Sequence, residues 1–230
     1  MYTLHITNKN YSSWSLRPWV LMRACGIDFD EQLHRFTPGS PTDFRLVSPS
    51  GRVPWLEDDD NVVWDSLAIA EYLAERHPQV WPADSKARAW ARCAAAEMHS
   101  GFACLRNEHG MNIGVRVAVS GRSPGLLADI ARIERLWNEG LERFGGPFLA
   151  GREFSAVDAF FAPVVYRFRS YGVAVNGAAA GYLETMLAHP AMQEWETAAL
   201  AEDFREAAHE AELQRIGSVT VDLRAPAASA

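Results

Sequence analysis

Asn10-Tyr11-Ser12-Ser13-Trp14-Ser15-Leu16-Arg17-Pro18-Trp19 joins an alternating run, Tyr2 to Thr7, to a helical one, Trp19 to Cys25. The order read there is a strand, a polar loop rich in hydroxyls, and the first turn of a helix. Pro18 limits where that helix can begin. Its ring clashes with the carbonyl four residues back and it donates no amide hydrogen, so it belongs near a helix start. The regular helix is therefore expected from around Ser13 to Ser15, with Ser12 and Ser13 on the lip before or at its N-cap. A helix N-terminus offers unpaired amide hydrogens and the positive end of the dipole, and both favour an anion. A hydroxyl on the same lip adds one directed donor. For a bound thiolate, each unit by which the thiol pKa is lowered corresponds to about 1.4 kcal/mol. A shift of one to two units from a free thiol near roughly pH 8.5 makes much of it nucleophilic at neutral pH. On this stretch alone, a serine that merely caps the helix is the simpler reading.

Working outward, Gly26 suits the residue after the helix end, and Asp28 to Phe36 alternates enough for a second strand. Thr37 to Pro49 is rich in Pro, Ser and Gly, with a short helix possible around Asp43 to Val47. A strand from Val53 turns through Glu57-Asp58-Asp59-Asp60-Asn61 and returns as Val62-Val63-Trp64, a hairpin with an acidic turn. Asp65 or Ser66 then caps a helix to about Arg76, with Leu67, Ile69, Ala70, Leu73 and Ala74 as its apolar face. The order βαβ(α)ββα, with the first two strands parallel and the last two antiparallel, is the thioredoxin-like layout. After a linker, Gln79 to Ser85, the character changes, and no strand is expected from Lys86 onward. Helices are expected from Asp84 or Ser85 to about Leu105, and from Ser123 to Phe144 with Leu127, Ile130, Ile133, Leu136 and Trp137 inward. Others are expected from Ser155 to Arg169 and from Gly181 to Leu200, the last broken near His189-Pro190. Phe154-Ser155-Ala156-Val157-Asp158 reads as a capping box with Asp in place of Glu, a structural motif with no expected part in chemistry. The division is thus residues 1–78 as an α/β unit, 86–205 as an all-helical one, and 206–230 as a loosely attached tail.

The 230 residues leave room for one large or two modest cores, and 48% hydrophobic with 22% charged content is ordinary for a globular chain. A formal charge of −7 gives no electrostatic reason to expect nucleic acid or an anionic membrane as partner. No apolar run approaches the ~20 residues of a membrane span, and the N-terminus lacks the features of a signal peptide. Cys25, Cys93 and Cys104 form no CxxC and no metal spacing. They read as small core residues in a reducing cytoplasm, with no metal expected.

Taken together, these residues resemble the soluble glutathione transferases, most closely their zeta class, over roughly residues 3 to 205. Zeta-class proteins carry Ser-Ser-Cys before the first helix, where this chain has Ser12-Ser13-Trp14. Val53-Pro54 resembles the family's cis-proline turn, which presents backbone groups to the cysteinyl part of glutathione. Asp65-Ser66-Leu67-Ala68-Ile69-Ala70-Glu71-Tyr72-Leu73 resembles the signature whose first two residues hold the γ-glutamyl end. The physics agrees with that assignment. Asp65 supplies a counter-charge for the α-ammonium, and Ser66 with helix-start amides suits the α-carboxylate. The resemblance implies a thioredoxin-like domain followed by an all-α domain lining the second-substrate cleft. It implies glutathione as co-substrate, a small electrophilic second substrate, a detoxification role and a homodimer.

Within that frame Ser12 is the expected thiol-activating hydroxyl and Ser13 the runner-up, able instead to cap the helix. Arg52, and from the end of the second strand His34 and Arg35, are candidates to face the glycine carboxylate, alongside a solvated surface role for each. Thr7 and Tyr11 are weaker donor candidates. Arg106, Asn107 and His109 either face the second-substrate cleft or form an ordinary cationic helix end. Two departures argue against maleylacetoacetate isomerisation. Trp14 replaces cysteine, and Ser170 falls where the zeta class has the arginine that helps hold a dicarboxylate, with Arg169 adjacent and Arg167 close. The expected reaction is attack of a serine-stabilised glutathione thiolate on an electrophilic carbon, with isomerase or dehalogenase chemistry as variants. The competing reading is a non-catalytic interaction module that keeps the fold.

Overall fold

The computed structural model of the protein describes residues 1–35 and 48–226. The short helix expected around Asp43 to Val47 lies outside the described residues. The first unit runs β1 (Tyr2–Ile6), α1 (Ser13–Ala24), β2 (Phe29–Leu33), β3 (Trp55–Asp58), β4 (Asn61–Trp64) and α2 (Ser66–Ala74). The sheet order is β2-β1-β3-β4, with β1 and β2 parallel and β3 antiparallel to both β1 and β4. This is the thioredoxin-like arrangement. The α1 crossover is what permits the parallel pair, and the acidic turn Asp58–Asn61 closes the hairpin. Helix α1 ends where Gly26 takes φ +65, with Gly26 N–H on the Arg23 carbonyl and Ile27 N–H on the Met22 carbonyl.

The remainder is built on helices: α3 (Ser85–Ser100), α4 (Ala103–Glu108), α5 (Pro124–Phe144), α6 (Ala156–Ser170), α7 (Ala178–Ala188), α8 (Pro190–Ala201) and α9 (Ala207–Ile216). Helix α6 is buried along nearly its whole length, as suits a helix at the centre of a bundle. It packs against α1 and α3, and α1 also meets α2 and α8. The helix that carries the serine loop is thus gripped from both units. Asp158, fully buried, makes the expected capping box. Its carboxylate accepts from Ser155 N–H (3.0 Å) and from Leu149 N–H (2.9 Å), while burial pushes the carboxyl up to about 6.

Four sequence expectations are corrected. The single helix to Leu105 is two, because Gly101 ends α3 and Phe102 takes a left-handed conformation before α4. Leu127 is half-exposed while Leu126 is buried, a shift of one residue in the inward face of α5. Residues 206–226 are not a loose tail, and strands do occur beyond Lys86. Helix α9 is followed by β6 (Gly217–Asp222), which pairs antiparallel with β5 (Val115–Val119). Arg224 then grips Glu210 and Asp222 (2.6 and 2.7 Å). Val219, Val221 and Leu223 face solvent in that segment, so no amphipathic signal of a packed strand was there to read.

Candidate functional site

Ser12, not Ser13, is the N-cap of α1. Its Oγ accepts from Ser15 N–H (3.3 Å) and donates to Ser15 Oγ (2.8 Å). Ser13, in the first turn, makes no side-chain hydrogen bond among the described residues, and both serines line a cavity of about 360 Å³. The loop before them is held by the helical unit. Glu202, at the end of α8, accepts from Lys9 N–H (2.7 Å) and Asn10 N–H (3.2 Å), and the Trp195 indole donates to the Lys9 carbonyl (3.0 Å). Two other hydroxyls are committed elsewhere. Thr7 donates to the His34 carbonyl (2.6 Å), and Tyr11 to Glu210 (2.7 Å), with burial raising the Tyr11 phenol above its usual range. Burial pushes the Cys25 thiol up to about 11, away from the thiolate form.

A second cavity of about 210 Å³ shares Trp14, Arg52 and Val53 with the first and is closed by Pro54, Asp65 and Ser66. The Val53–Pro54 bond is cis, and the Val53 N–H and C=O have no hydrogen-bond partner among the described residues. Asp65 caps α2 through Leu67 N–H (2.8 Å) and takes φ +75, a region that costs a non-glycine residue on the order of 1–3 kcal/mol. Ser66 is buried, yet its Oγ is without a partner. A buried, unpaired hydroxyl beside unpaired backbone and a half-exposed carboxylate is a site that fits a polar, zwitterionic ligand. Val53, Pro54, Asp65 and Ser66 are therefore brought together with Ser12, Ser13 and Arg52.

His34 lines neither cavity. Its Nε2 meets His5 Nδ1 (2.9 Å), and its ring lies against Trp55. Arg35 is paired with Asp203 (3.4 Å).

On the other side of Trp14 the wall is cationic. Arg106 and Arg167 line the larger cavity, opposite Glu212 and His209 of α9. The Trp14 ring lies between the guanidinium groups of Arg17 (4.3 Å) and Arg106 (4.9 Å). Arg106 is spent on the carbonyls of Met98, His99 and Gly101, and Arg167 on that of His109 (2.8 Å). Arg17 is fully buried with all three nitrogens unpaired, and Arg167 Nη1 is likewise buried and unpaired. Burial lowers all three, helped at Arg17 and Arg167 by repulsion from neighbouring guanidinium groups, with Arg167 brought to about 10. None of their donors is hydrogen-bonded to a carboxylate among the described residues, and the cavity lining sets the two guanidinium groups of Arg106 and Arg167 against the one carboxylate of Glu212.

Of the other sequence candidates, Ser170 donates to the Asn112 carbonyl and Arg169 is bidentate to Glu196, both away from the cavity. Asn107 and His109 border a different cavity of about 290 Å³. The His109 ring is buried, stacked on Tyr171 (4.3 Å), with neither nitrogen bonded. Burial and the nearby Arg122 hold it down to about 4. A histidine depressed from 6.5 in the unfolded chain stabilises the fold fully above that pH, and the contribution is lost as pH falls through its folded value. His109→Phe, which keeps the stacking, is expected to flatten the stability loss between pH 6.5 and 4 by on the order of 2 kcal/mol. Denaturant midpoints of both proteins across that range check it; parallel curves would show that His109 does not drive the loss.

Residues 11–76 match the model of the glutathione S-transferase N-terminal domain and residues 83–198 that of the C-terminal domain. The chain belongs to the glutathione S-transferase family. Among its relatives is a zeta-class glutathione S-transferase of Euphorbia esula, 29% identical over 164 residues, covering 67% of this chain and 71% of the relative. Another is a maleylacetoacetate isomerase of Rattus norvegicus, 28% identical over 160 residues, covering 67% and 73%. A glutathione transferase homolog from Burkholderia GL BGR1, solved with bound glutathione, superposes with a TM-score of 0.66 at 24% identity. The match covers 86% of this chain and 97% of that one, and it shares the family's two-unit fold. No helix among the described residues is long and apolar enough to cross a membrane.

Proposed function

We propose that the protein binds glutathione and directs its thiolate at a small electrophile carrying an anionic group. The observation that carries this reading is the pair of cavities meeting at Trp14, one polar and the other lined by Arg106 and by Arg167, whose Nη1 is buried and unpaired. In the smaller cavity Asp65 would hold the α-ammonium of the γ-glutamyl group. Ser66, through its unpaired Oγ and the amides at the start of α2, would hold the α-carboxylate. The free Val53 N–H and C=O would pair with the cysteinyl backbone, and Arg52 would face the glycine carboxylate. That leaves the sulfur at the lip of α1, where Ser12 donates to it. A thiolate makes roughly twice as strong an acceptor as the neutral Ser15 Oγ that Ser12 now serves, so the hydroxyl turns to the sulfur when glutathione is bound.

The electrophile occupies the larger cavity. Arg167 stands there in the place of the arginine that the zeta-class pattern would put at Ser170, so a cationic anchor for a carboxylate is kept on the same helix α6. This supports conjugation or isomerisation of unsaturated acids, in line with the isomerase among the relatives. Val62 and Trp64 leave apolar surface on the edge strand β4, which supports a homodimer, and the location we assign is the cytoplasm. Calorimetry with glutathione tests the first half of the reading, and absence of binding would leave an interaction module instead. For the second half, Arg167→Met is expected to lower kcat/KM for a carboxylate-bearing electrophile about 10–100-fold relative to a neutral one of equal size. An unchanged ratio would remove the anionic requirement.

A further inference from the structure

Glu206 and His209 lie one turn apart at the start of α9, the helix that roofs the larger cavity. The Glu206 carboxylate caps the helix by accepting from His209 N–H (2.8 Å), and the same oxygen lies 2.6 Å from His209 Nδ1. A carboxylate only accepts, so Nδ1 carries its hydrogen, and in the neutral ring Nε2 is left with a lone pair. The imidazole also lies tilted against the Tyr11 ring, with centroids 5.0 Å apart. That phenol is itself fixed, because its hydroxyl is bonded to Glu210, which Arg224 holds at 2.6 and 3.1 Å. The ring is thus oriented at Nδ1 by a carboxylate and along its face by an immobilised aromatic. Nε2 has no partner among the described residues, and the side chain borders the cavity that Ser12, Arg106 and Arg167 also line.

We propose that His209, oriented by Glu206, is the proton carrier for the second substrate; the inference rests on the transferase reading above. Thiolate formation at Ser12 does not need this ring, but addition to an activated double bond does. The C–S bond forms at the β-carbon and the π electron pair moves onto the α-carbon and its carbonyl. The proton on His209 Nε2 then passes to that α-carbon. The thiol proton of the next glutathione leaves to solvent as it does in displacement, and the neutral ring is reprotonated at Nε2 from solvent, so thiol plus alkene gives a saturated thioether with no net proton change. Displacement of halide from an aromatic carbon has no such requirement, because the leaving group departs with the electron pair. The carboxylate orients the base in the way an acid does in a hydrolase triad. General acid catalysis of this kind contributes roughly 10²–10⁴-fold.

The test compares two reactions of the full-length protein with glutathione: addition to fumarate-type unsaturated acids and displacement of chloride from a dinitrophenyl chloride. His209→Gln is expected to lower the ratio of addition to displacement about 100-fold, and Glu206→Gln to lower it about 10-fold. Addition by the unsubstituted protein should show a pH limb that displacement lacks and that His209→Gln abolishes. The charged groups around the ring are Glu206, Glu210 and Glu212 of its own helix, Tyr11 beneath it with Arg224 behind, and Arg106 and Arg167 across the cavity. Among the described residues only Glu206 contacts an imidazole nitrogen. A ratio unmoved in His209→Gln would reduce the pair to a helix cap and overturn the proposal. Displacement without any addition by the unsubstituted protein would overturn it while leaving the transferase intact. Failure to bind glutathione would instead remove the transferase reading, and the proposal with it.

Discussion

Ser12→Ala is expected to lower kcat/KM for glutathione-dependent turnover about 10²–10³-fold, the usual cost of removing one donor aimed at a developing or stabilised anion. The substitution also removes the N-cap of α1, worth about 1 kcal/mol, so a fall in stability accompanies the fall in rate. The two effects separate with Ser12→Asp. Aspartate caps a helix as well as serine does, but its carboxylate sits beside the thiolate with like charge. Stability should therefore stay within about 0.5 kcal/mol of the original protein while turnover remains lost. Activity that follows stability across the two variants would mean that Ser12 only holds the helix. Retained activity in both would shift the role to Ser13, whose hydroxyl is uncommitted in the same cavity.

Asp158→Ala is expected to have the largest effect on stability, about 3–5 kcal/mol. It strips the partners from the Leu149 and Ser155 amides, each buried and each worth roughly 1–3 kcal/mol when left unsatisfied. That is a large share of the 5–15 kcal/mol typical of a folded domain. Helix α6, which Asp158 starts, packs on α1 and carries Arg167, so loss of activity should follow loss of structure and not precede it. Asp158→Asn keeps one acceptor and should recover about half of the loss, since its amide nitrogen cannot accept from the second N–H. Chemical denaturation of the three proteins measures this. A loss under about 1 kcal/mol in the alanine variant would show that the box is dispensable.

The parts of the site that the sequence displays are those made from contiguous residues. Ser12-Ser13 stands at a helix start that Pro18 delimits, and Asp65-Ser66 directly follows a hairpin. In both cases the local chain geometry that makes the motif also makes the site. Even there, the sequence left open which serine caps α1, because each has a hydroxyl at a suitable offset. His34 looked suitable by position, but its ring has aromatic and imidazole neighbours on β1 and β3 that only the sheet register brings together. The cationic wall is partly legible, since Arg106 and Arg167 both stand among the sequence candidates. What joins them to Trp14, Arg17 and His209 is the packing of α1, α4, α6 and α9, elements far apart in the chain. The β5–β6 pair was illegible for a different reason. Its outer strand buries almost nothing, so solvent-facing valines gave no period to read.

The central claim is that the lip of α1 holds glutathione as its thiolate, and titration of bound glutathione by thiolate absorbance across pH tests it most directly. The account predicts a midpoint one to two units below that of the free thiol, and a return towards it in Ser12→Ala. A bound thiol that titrates like the free one, or glutathione that does not bind at all, would contradict it.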